Sequence, residues 1–360
     1  MTRSSVRTTA ARPYPADCWY AVVSGDALGR QLTSGRALDT PVALYRTADG
    51  QAVALEDRCA HRPFPLSKGR RDGDNVSCGL CGFVYGPDGA CLSVPTQARV
   101  PVGARVRAFP TREYGGVVWV WFGEPAASTH RLPELPWLAA DGWDTVRGEA
   151  LVRANFLLLH ESFADVTKVP VIAPDISPAV LHDLTPPLDV VVTETTVSLY
   201  RTFPPGRLPA WQLAAIGPSA ADVEHEHVQE GHFLSPAVWA DHWDARVPRG
   251  PGPTYRMRFT QFVTPVTRTS SRLRWRVSRD FGVEDADAGS AVQTLFDDYY
   301  ATVASMLGIM QDVLETDGPR AEVNVSADVA ALKVRAIVSG MVSRDSAKVT
   351  HLPATRASSR

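Results

Sequence analysis

The sequence predicts an α+β protein with two domains, each built on an antiparallel sheet. From Cys18 to about Phe122, short β-rich runs alternate with Asp-Gly, Gly-Asp and Pro-containing turn signals. Beyond residue 145, longer runs of alternating polar and apolar residues precede two helical stretches, at 286–316 and 326–343. A chain of 360 residues is long enough to bury a separate core in each of two domains.

The predicted domain boundaries follow shifts in composition. We expect a disordered tail at 1–14, a β domain at 15–123, a linker at 124–145, a second domain at 146–345 and a disordered tail at 346–360. The linker is rich in Pro and Ala and shows no periodicity of a helix or a strand.

The second domain is predicted to begin with a helix over residues 154–168, where apolar positions recur at three- and four-residue steps. Pro170 is expected to end this helix. Long strands follow at VVVTETTVSLYRTF, YRMRFTQFVTPVT and SRLRWRVSRDF, so we expect an antiparallel sheet wrapped around a long C-terminal helix. The segment EHEHVQEGH (224–232) lacks the His-Glu-x-x-His spacing of helical zinc sites and is predicted to be a loop beside a pocket.

Charge and hydropathy exclude several kinds of partner. The net charge of -2 and the pI near 6.5 give no sequence-wide basic field, so nucleic acid is not an expected partner. No stretch approaches the roughly 20 apolar residues of a spanning helix, and the N-terminus lacks the apolar run of a secretory signal. We expect a cytoplasmic protein without a membrane partner, whose five cysteines are reduced and serve metal binding or burial.

The strongest local signal is a pair of short motifs that contain soft metal ligands. Cys59-Ala-His61 is followed, after sixteen residues, by Cys78-Gly-Leu-Cys81. Two thiolates or imidazoles in each of two neighbouring loops are typical of a metal or iron–sulfur site. Cys59, His61, Cys78 and Cys81 are therefore the predicted metal or cofactor ligands.

The block EDRCAHRPFPLSKGRRDGDNVSCGLCGFVYGPDGACLSVPTQ resembles the Rieske domain of the vanillate demethylase branch of ring-hydroxylating oxygenases. The family pattern is Cys-x-His followed by Cys-x-x-His, and Cys81 stands where the second histidine belongs. A [2Fe-2S] cluster held by three Cys and one His, a structural zinc ion, and hydrogen-bonded thiols without a metal are the alternatives. The resemblance implies a Rieske-type β domain followed by a helix-grip (START-like) domain, assembled as a homotrimer.

The segment NFLLLHESFADVTKVPVIA is similar to the iron-binding helix of the same oxygenases. Their pattern Asp-x-x-His-x-x-x-x-His supplies two imidazoles, and a later Asp completes a facial triad. Asp165 matches the first carboxylate, whereas Lys168 and Ala173 occupy the histidine positions and Ala304 aligns with the later Asp. Because a lysine ammonium repels Fe(II), we expect no mononuclear iron.

The function predicted from these departures is a cofactor-independent cyclase. Lys168, Asp165, His160 and Glu161 would lie on or near a pocket wall as catalytic candidates, with Asp165 and Lys168 forming an ion pair on one helical face. The chain resembles metal-free polyketide cyclases of this fold, which form decalin rings by [4+2] addition in secondary metabolism, so an apolar small-molecule substrate is expected. The alternatives are a Rieske oxidoreductase, as monooxygenase or demethylase, and a non-catalytic subunit of such an oxygenase.

Overall fold

The computed structural model describes residues 13–183, 186–248 and 252–350, with side chains described as far as residue 345. Residues 1–12 and 351–360 of the two predicted tails lie outside the described residues. Tyr14 is buried, and its hydroxyl donates to Asp39 Oδ2 at 2.5 Å. The last helix continues through the second predicted tail as far as Thr350.

Within the described residues, the N-terminal domain has eleven short strands in three antiparallel sheets. Their bounds are β1 Trp19–Ser24, β2 Thr33–Ala37, β3 Thr40–Arg46, β4 Ala52–Glu56, β5 Arg70–Asp72, β6 Asn75–Ser77, β7 Val84–Tyr85, β8 Cys91–Ser93, β9 Ala108–Phe109, β10 Thr111–Tyr114 and β11 Val117–Trp121. The sheets have the strand orders β1-β11-β10, β2-β3-β4-β9 and β5-β6-β7-β8. The last of these sheets supports both cysteine motifs, because one motif precedes β5 and the other lies between β6 and β7.

The C-terminal domain is a seven-stranded antiparallel sheet with helices against one face. The strands are β12 Asp144–Val152, β13 Asp189–Val192, β14 Val197–Gly206, β15 His225–Ser235, β16 Val238–Arg246, β17 Thr254–Thr267 and β18 Ser270–Arg279. The helices are α1 Phe156–Ala164, α2 Val169–Ile172, α3 Ala210–Ile216, α4 Ala286–Asp317 and α5 Val329–Thr350. The strand order is β12-β18-β17-β16-β15-β14-β13, and the predicted α+β class is confirmed.

The long helix α4 packs on the inner face of this sheet through aromatic side chains. Tyr300 stacks on Trp275 with ring centroids 4.7 Å apart, and Phe296 meets Phe259 at 5.6 Å. The N-terminal domain packs on the opposite face of β17 and β18. There the buried guanidinium of Arg274 donates to Ala21 O and Val22 O, at 2.8 and 2.6 Å. The sheet therefore lies between α4 and most of the first domain, whereas α1 and α5 contact its N-terminal end through the pairs Phe156 with Tyr14 and Asp345 with Ala16.

Three predictions of local structure were wrong. The helix predicted over 154–168 ends at Ala164, and α2 starts at Val169 with Pro170 in its first turn, where a proline is tolerated. The strand predicted over 190–203 is two strands joined by a turn. Residues 225–235 form β15 rather than a loop. The prediction failed because polar side chains occupy the buried alternate positions, so the apolar period of a strand is not visible in the sequence. None of the described helices is long and apolar enough to cross a membrane.

Candidate functional site

Three cysteines of the N-terminal domain gather into one group. The Sγ atoms of Cys59, Cys78 and Cys81 all lie within 4.8 Å of one another, and Cys59 Sγ is 3.6 Å from Cys81 Sγ. Cys59 and Cys78 are buried, whereas Cys81 is half-buried. Thiolates at such separations can share one metal ion or one iron–sulfur cluster.

Backbone hydrogen bonds hold the two loops that carry these thiols. Cys78 N donates to Phe83 O at 2.8 Å, and Gly82 N donates to Cys78 O at 3.0 Å, which closes a tight turn around Cys81. Gly82 has a φ of +69°, and a Cβ at this position would lie 2.8 Å from Pro95 Cγ. Glycine is required there for both reasons.

Tyr85 orients the first thiol. Its hydroxyl oxygen lies 3.1 Å from Cys59 Sγ and accepts the backbone N–H of Ala60 at 3.1 Å. Burial raises the pKa of Cys59, but the Tyr85 hydroxyl and the backbone N–H groups of His61 and Arg62 outweigh burial, so the pKa lies below its ordinary value. Hydrogen bonds to a thiolate favour the form that binds metal.

His61 is the predicted fourth ligand, and its imidazole is exposed. The ring stacks on Phe83, with centroids 4.9 Å apart and planes 9° from parallel, so the first loop contacts the second. His61 does not belong to the group of three thiols within 4.8 Å. The three thiols can supply three ligands of a [2Fe-2S] cluster, and the exposed His61 lies two residues from Cys59.

The C-terminal domain contains a cavity of about 100 Å³ between the sheet and helices α1, α3 and α4. Much of its wall is aromatic, from Phe163, Trp211, Trp243, Phe259 and Phe296. This volume is of the same order as the roughly 150 Å³ cavity that admits benzene in another protein. It suits a small ligand, of the order of a single ring.

Lys168 is the cation at this cavity, and it follows the break between α1 and α2. Its ammonium donates to the backbone carbonyls of Ser162 and Asp165, the second at 2.9 Å. Burial lowers the pKa of Lys168 to about 8, while the carboxylates of Asp165 and Asp241 act in the opposite direction. The predicted ion pair of Lys168 with the Asp165 carboxylate was wrong, because α1 ends before Asp165. The carboxylate instead accepts hydrogen bonds from Thr167 N at 2.8 Å and from Thr167 Oγ1 at 2.6 Å.

The other predicted catalytic residues lie away from the cavity. His160 is fully buried in the core, where one ring nitrogen contacts Pro236 O at 3.0 Å and burial lowers its pKa to about 4. Glu161 pairs with Arg335 of α5. Of the three positions aligned with iron ligands, only Lys168 lines the cavity, and neither Ala173 nor Ala304 does.

Asp241 is a cavity residue that sequence reasoning missed. It lies on β16 opposite Gly231 of β15, where a Cβ would stand 3.0 Å from Asp241 Oδ1, so the glycine leaves room for the carboxyl group. Burial raises the pKa of Asp241 to about 7, although Trp239, Lys168 and Gln261 lower it. A carboxyl of raised pKa beside an ammonium at a cavity is a candidate for a functional site.

Several buried polar atoms at the cavity have no hydrogen-bond partner within the described part of the chain. The acceptors are Gln229 Oε1, Gln261 Oε1 and Asp241 Oδ1, and the donors are Gln212 Nε2 and Trp211 Nε1. Unpaired buried polar atoms cost about 1–3 kcal/mol each, so a ligand or water that pairs them would be held firmly. This set is the strongest indication of ligand binding in the molecule.

The cavity residues do not fit a mononuclear iron site. Its lining includes two carboxylates, Asp165 and Asp241, but no histidine or cysteine among the described residues. Non-haem Fe(II) in oxygenases requires two imidazoles and a carboxylate, and the Lys168 ammonium would oppose a second cation.

A groove of about 430 Å³ adjoins the cavity on the side of α5. The two spaces share Ser162, Asp165 and Lys168 in their walls, so Lys168 lies between them. The Glu161–Arg335 pair and the exposed Met306 and Met310 line the groove.

Comparisons with known proteins agree with this division of the chain. Residues 18–110 match the Rieske [2Fe-2S] domain, and residues 152–344 match the vanillate O-demethylase oxygenase C-terminal domain. A vanillate O-demethylase oxygenase subunit of Pseudomonas sp. is 29% identical over 86% of this chain and 97% of its own. The toluene-4-sulfonate monooxygenase system iron-sulfur subunit of Comamonas testosteroni is 27% identical over 75% of this chain and 80% of its own. Dicamba monooxygenase bound to dicamba has the same fold, with a TM-score of 0.82, 22% identity and coverage of 93% of this chain and 99% of its own.

The prediction of a cofactor-independent cyclase was wrong. The similar proteins are oxygenase components and iron–sulfur subunits of monooxygenase and demethylase systems. The expected resemblance to decalin-forming cyclases came from substitutions at ligand positions, which indicate lost iron ligands without indicating a new reaction.

Proposed function

This chain belongs to the vanillate O-demethylase oxygenase family, and on that premise we propose that it is an iron–sulfur oxidoreductase component of a monooxygenase or demethylase system. Its N-terminal domain would hold a [2Fe-2S] cluster, and its C-terminal cavity would bind a small organic molecule. The three gathered thiols are the observation on which the proposal rests.

Cys59, Cys78 and Cys81 would bind the cluster as thiolates, with His61 as the fourth ligand. Such a cluster accepts and releases one electron at a time. A third thiolate in place of an imidazole adds negative charge, which places the reduction potential nearer the plant-type ferredoxins than the Rieske range. The hydrogen-bonded thiol of Cys59 is positioned to ionise first when the ligands assemble.

The cavity ligand would combine one apolar ring with at least one polar group. Aromatic side chains would pack against the ring, Lys168 would donate to a hydroxyl or carbonyl oxygen, and Gln229 and Gln261 would accept from an O–H or N–H group. Phenols and small aromatic amides satisfy this pattern. The relatives whose names include vanillate and dicamba suggest aromatic compounds of this size class.

Anaerobic purification with iron supplied tests the proposal. We expect two irons and two sulfides per chain, and an electron paramagnetic resonance signal after dithionite reduction. Protein that contains one zinc ion and no sulfide, or neither metal, would reject the iron–sulfur assignment.

The side chains that line the cavity do not fit a mononuclear iron site. They favour a second candidate, a subunit that does not itself activate dioxygen. Such a subunit would bind ligand and carry the cluster, while a homologous chain with a complete iron site performs oxygen chemistry within a predicted trimer. Oxygen consumption with a reductase and NADH separates the candidates. Turnover by this chain alone supports the first, whereas turnover only after mixing with an active homologue supports the second.

A further inference from the structure

A second group of metal-binding side chains lies on the outer face of the C-terminal sheet, away from the cavity. We infer that Glu230, His232 and His242 form a binding site for a zinc-like divalent transition metal ion. Glu230 and His232 are on β15, and His242 is on β16 directly across from Glu230. Because side chains alternate along a strand, these three point away from the face that carries Gln229 and Asp241.

The separations within this group are compatible with a coordination shell. Glu230 Oε2 lies 3.5 Å from His232 Nε2 and 3.4 Å from His242 Nδ1, and all three ligand atoms lie within 4.8 Å of one another. Hydrogen bonds between such groups are normally about 2.7–3.2 Å long. Two ligands at zinc bond lengths of about 2.0–2.2 Å and a tetrahedral angle stand about 3.3–3.6 Å apart.

The surroundings of the two imidazoles orient them toward the carboxylate. Ser198, which pairs with His232 across β14 and β15, places its hydroxyl 2.9 Å from His232 Nδ1 and so leaves Nε2 for the ion. Trp137 meets the His242 ring edge to face, with centroids 5.0 Å apart. Hydrogen bonds from the second ring nitrogen are a regular feature of metal-bound histidines.

The local charges leave the carboxylate available to a cation. No Lys or Arg nitrogen of the described residues lies within 4.0 Å of the Glu230 carboxylate. Arg258 faces the imidazoles, but it pairs with Asp244 at 2.6 Å and lies over the Trp143 ring. The Glu230 side chain is 38% exposed, so water can reach the group and fill a fourth coordination position.

Cobalt(II) distinguishes this site from the cysteine site in the untagged full-length protein. Cobalt bound by thiolates gives intense charge-transfer absorption, whereas cobalt bound by two imidazoles and a carboxylate gives only weak d–d bands. After chelator treatment, we expect wild-type protein to take up one cobalt or zinc ion with the weak-band spectrum, in addition to any ion bound by the cysteines.

Substitutions locate the ion. His242→Ala and the near-isosteric Glu230→Gln should each lower zinc affinity by about 100-fold or more, and Ser198→Ala by roughly 10–100-fold. His182→Ala, an exposed histidine outside the group, should leave affinity unchanged. Circular dichroism melts of the metal-free variants check that each is folded.

Equal zinc uptake by wild type, His242→Ala and folded Glu230→Gln would overturn the inference. So would a cobalt spectrum that consists of thiolate charge-transfer bands alone. The site is independent of the proposed oxidoreductase function, because its occupancy is measured without turnover or an assembled cluster.

Discussion

The cysteine site and the C-terminal cavity, two sites of one chain, differ in the chemistry of their side chains. The cysteine site brings three thiols within 4.8 Å, with a tyrosine hydroxyl that favours ionisation of one of them. The cavity instead surrounds an ammonium and a buried carboxyl with aromatic rings and unpaired amides. Soft ligands suit iron or zinc, whereas the cavity suits an organic molecule with polar groups. Substitutions should therefore be able to alter metal binding and ligand recognition separately.

Removal of one thiol should have the largest effect. We expect Cys78→Ser to lose nearly all bound iron and sulfide, because two remaining thiols cannot complete the cluster. Cys91→Ser is the matched control, since Cys91 is a nearby buried thiol outside the group of three. Iron and sulfide analysis measures both variants. Equal loss of iron from the control would show that the ligand set includes Cys91 and would break the assignment.

Replacement of the third thiolate should shift the cluster rather than remove it. Cys81→His restores the Cys-x-x-His spacing of the Rieske pattern, and the lost negative charge should raise the reduction potential by on the order of 200 mV or more. Spectroelectrochemical titration of wild type and variant measures the change. An unchanged potential in a variant that still holds its cluster would show that residue 81 is not a ligand.

The buried carboxyl of Asp241 should add its own contribution to the pH dependence of stability. The native pKa of Asp241, about 7, lies above the unfolded value near 3.9, so the native state holds this proton more tightly. The stabilisation is therefore complete below pH 4 and is lost as pH rises through 7, by up to about 4 kcal/mol. Asp241→Asn should remove this decline.

Urea unfolding between pH 4 and pH 8 measures the difference in slope between wild type and Asp241→Asn. Asp222→Asn, at an exposed aspartate, should retain the wild-type slope. Parallel curves for wild type and Asp241→Asn would contradict the assigned protonation of the cavity.

The sequence predicted the cysteine site better than the cavity because ligand loops are local. Cys59, Cys78 and Cys81 lie in two short motifs whose spacing is recognisable in the sequence, and the fold brings their thiols together. The role of Asp241 depends on its register opposite Gly231, which no local pattern reveals. The group formed by Glu230, His232 and His242 depends on the same pairing of β15 with β16.

The two-domain fold was predictable for a related reason. The alternation of polar and apolar residues along β17 and β18, and the length of α4, are visible directly in the sequence. β15 was missed because His225, His227 and Gln229 occupy its inward positions, where apolar residues would have shown the period. The 154–168 helix was predicted too long because apolar residues continue past the break at Asp165.

Loss of the cavity ammonium should have the smallest effect, and its readout is ligand binding. Lys168→Met keeps the length of the side chain but removes the donor to a ligand oxygen. A hydrogen bond from a charged donor contributes roughly 1.5–3 kcal/mol, so affinity for a small phenol or aromatic amide should fall about 10–100-fold. Because the pKa of Lys168 is about 8, wild-type affinity should also fall as pH rises above 8, and the variant should lose this dependence. Lys333→Met, at an exposed lysine of α5, is the control.

Isothermal titration calorimetry at pH 7 and pH 9 measures both the affinity and its pH dependence. A full iron–sulfur complement in Lys168→Met would show that the cavity can be altered while the cysteine site stays intact. If the variant bound the ligand as tightly as wild type at both pH values, Lys168 would have no part in recognition, and the unpaired amides of Gln229 and Gln261 would be the groups to substitute next.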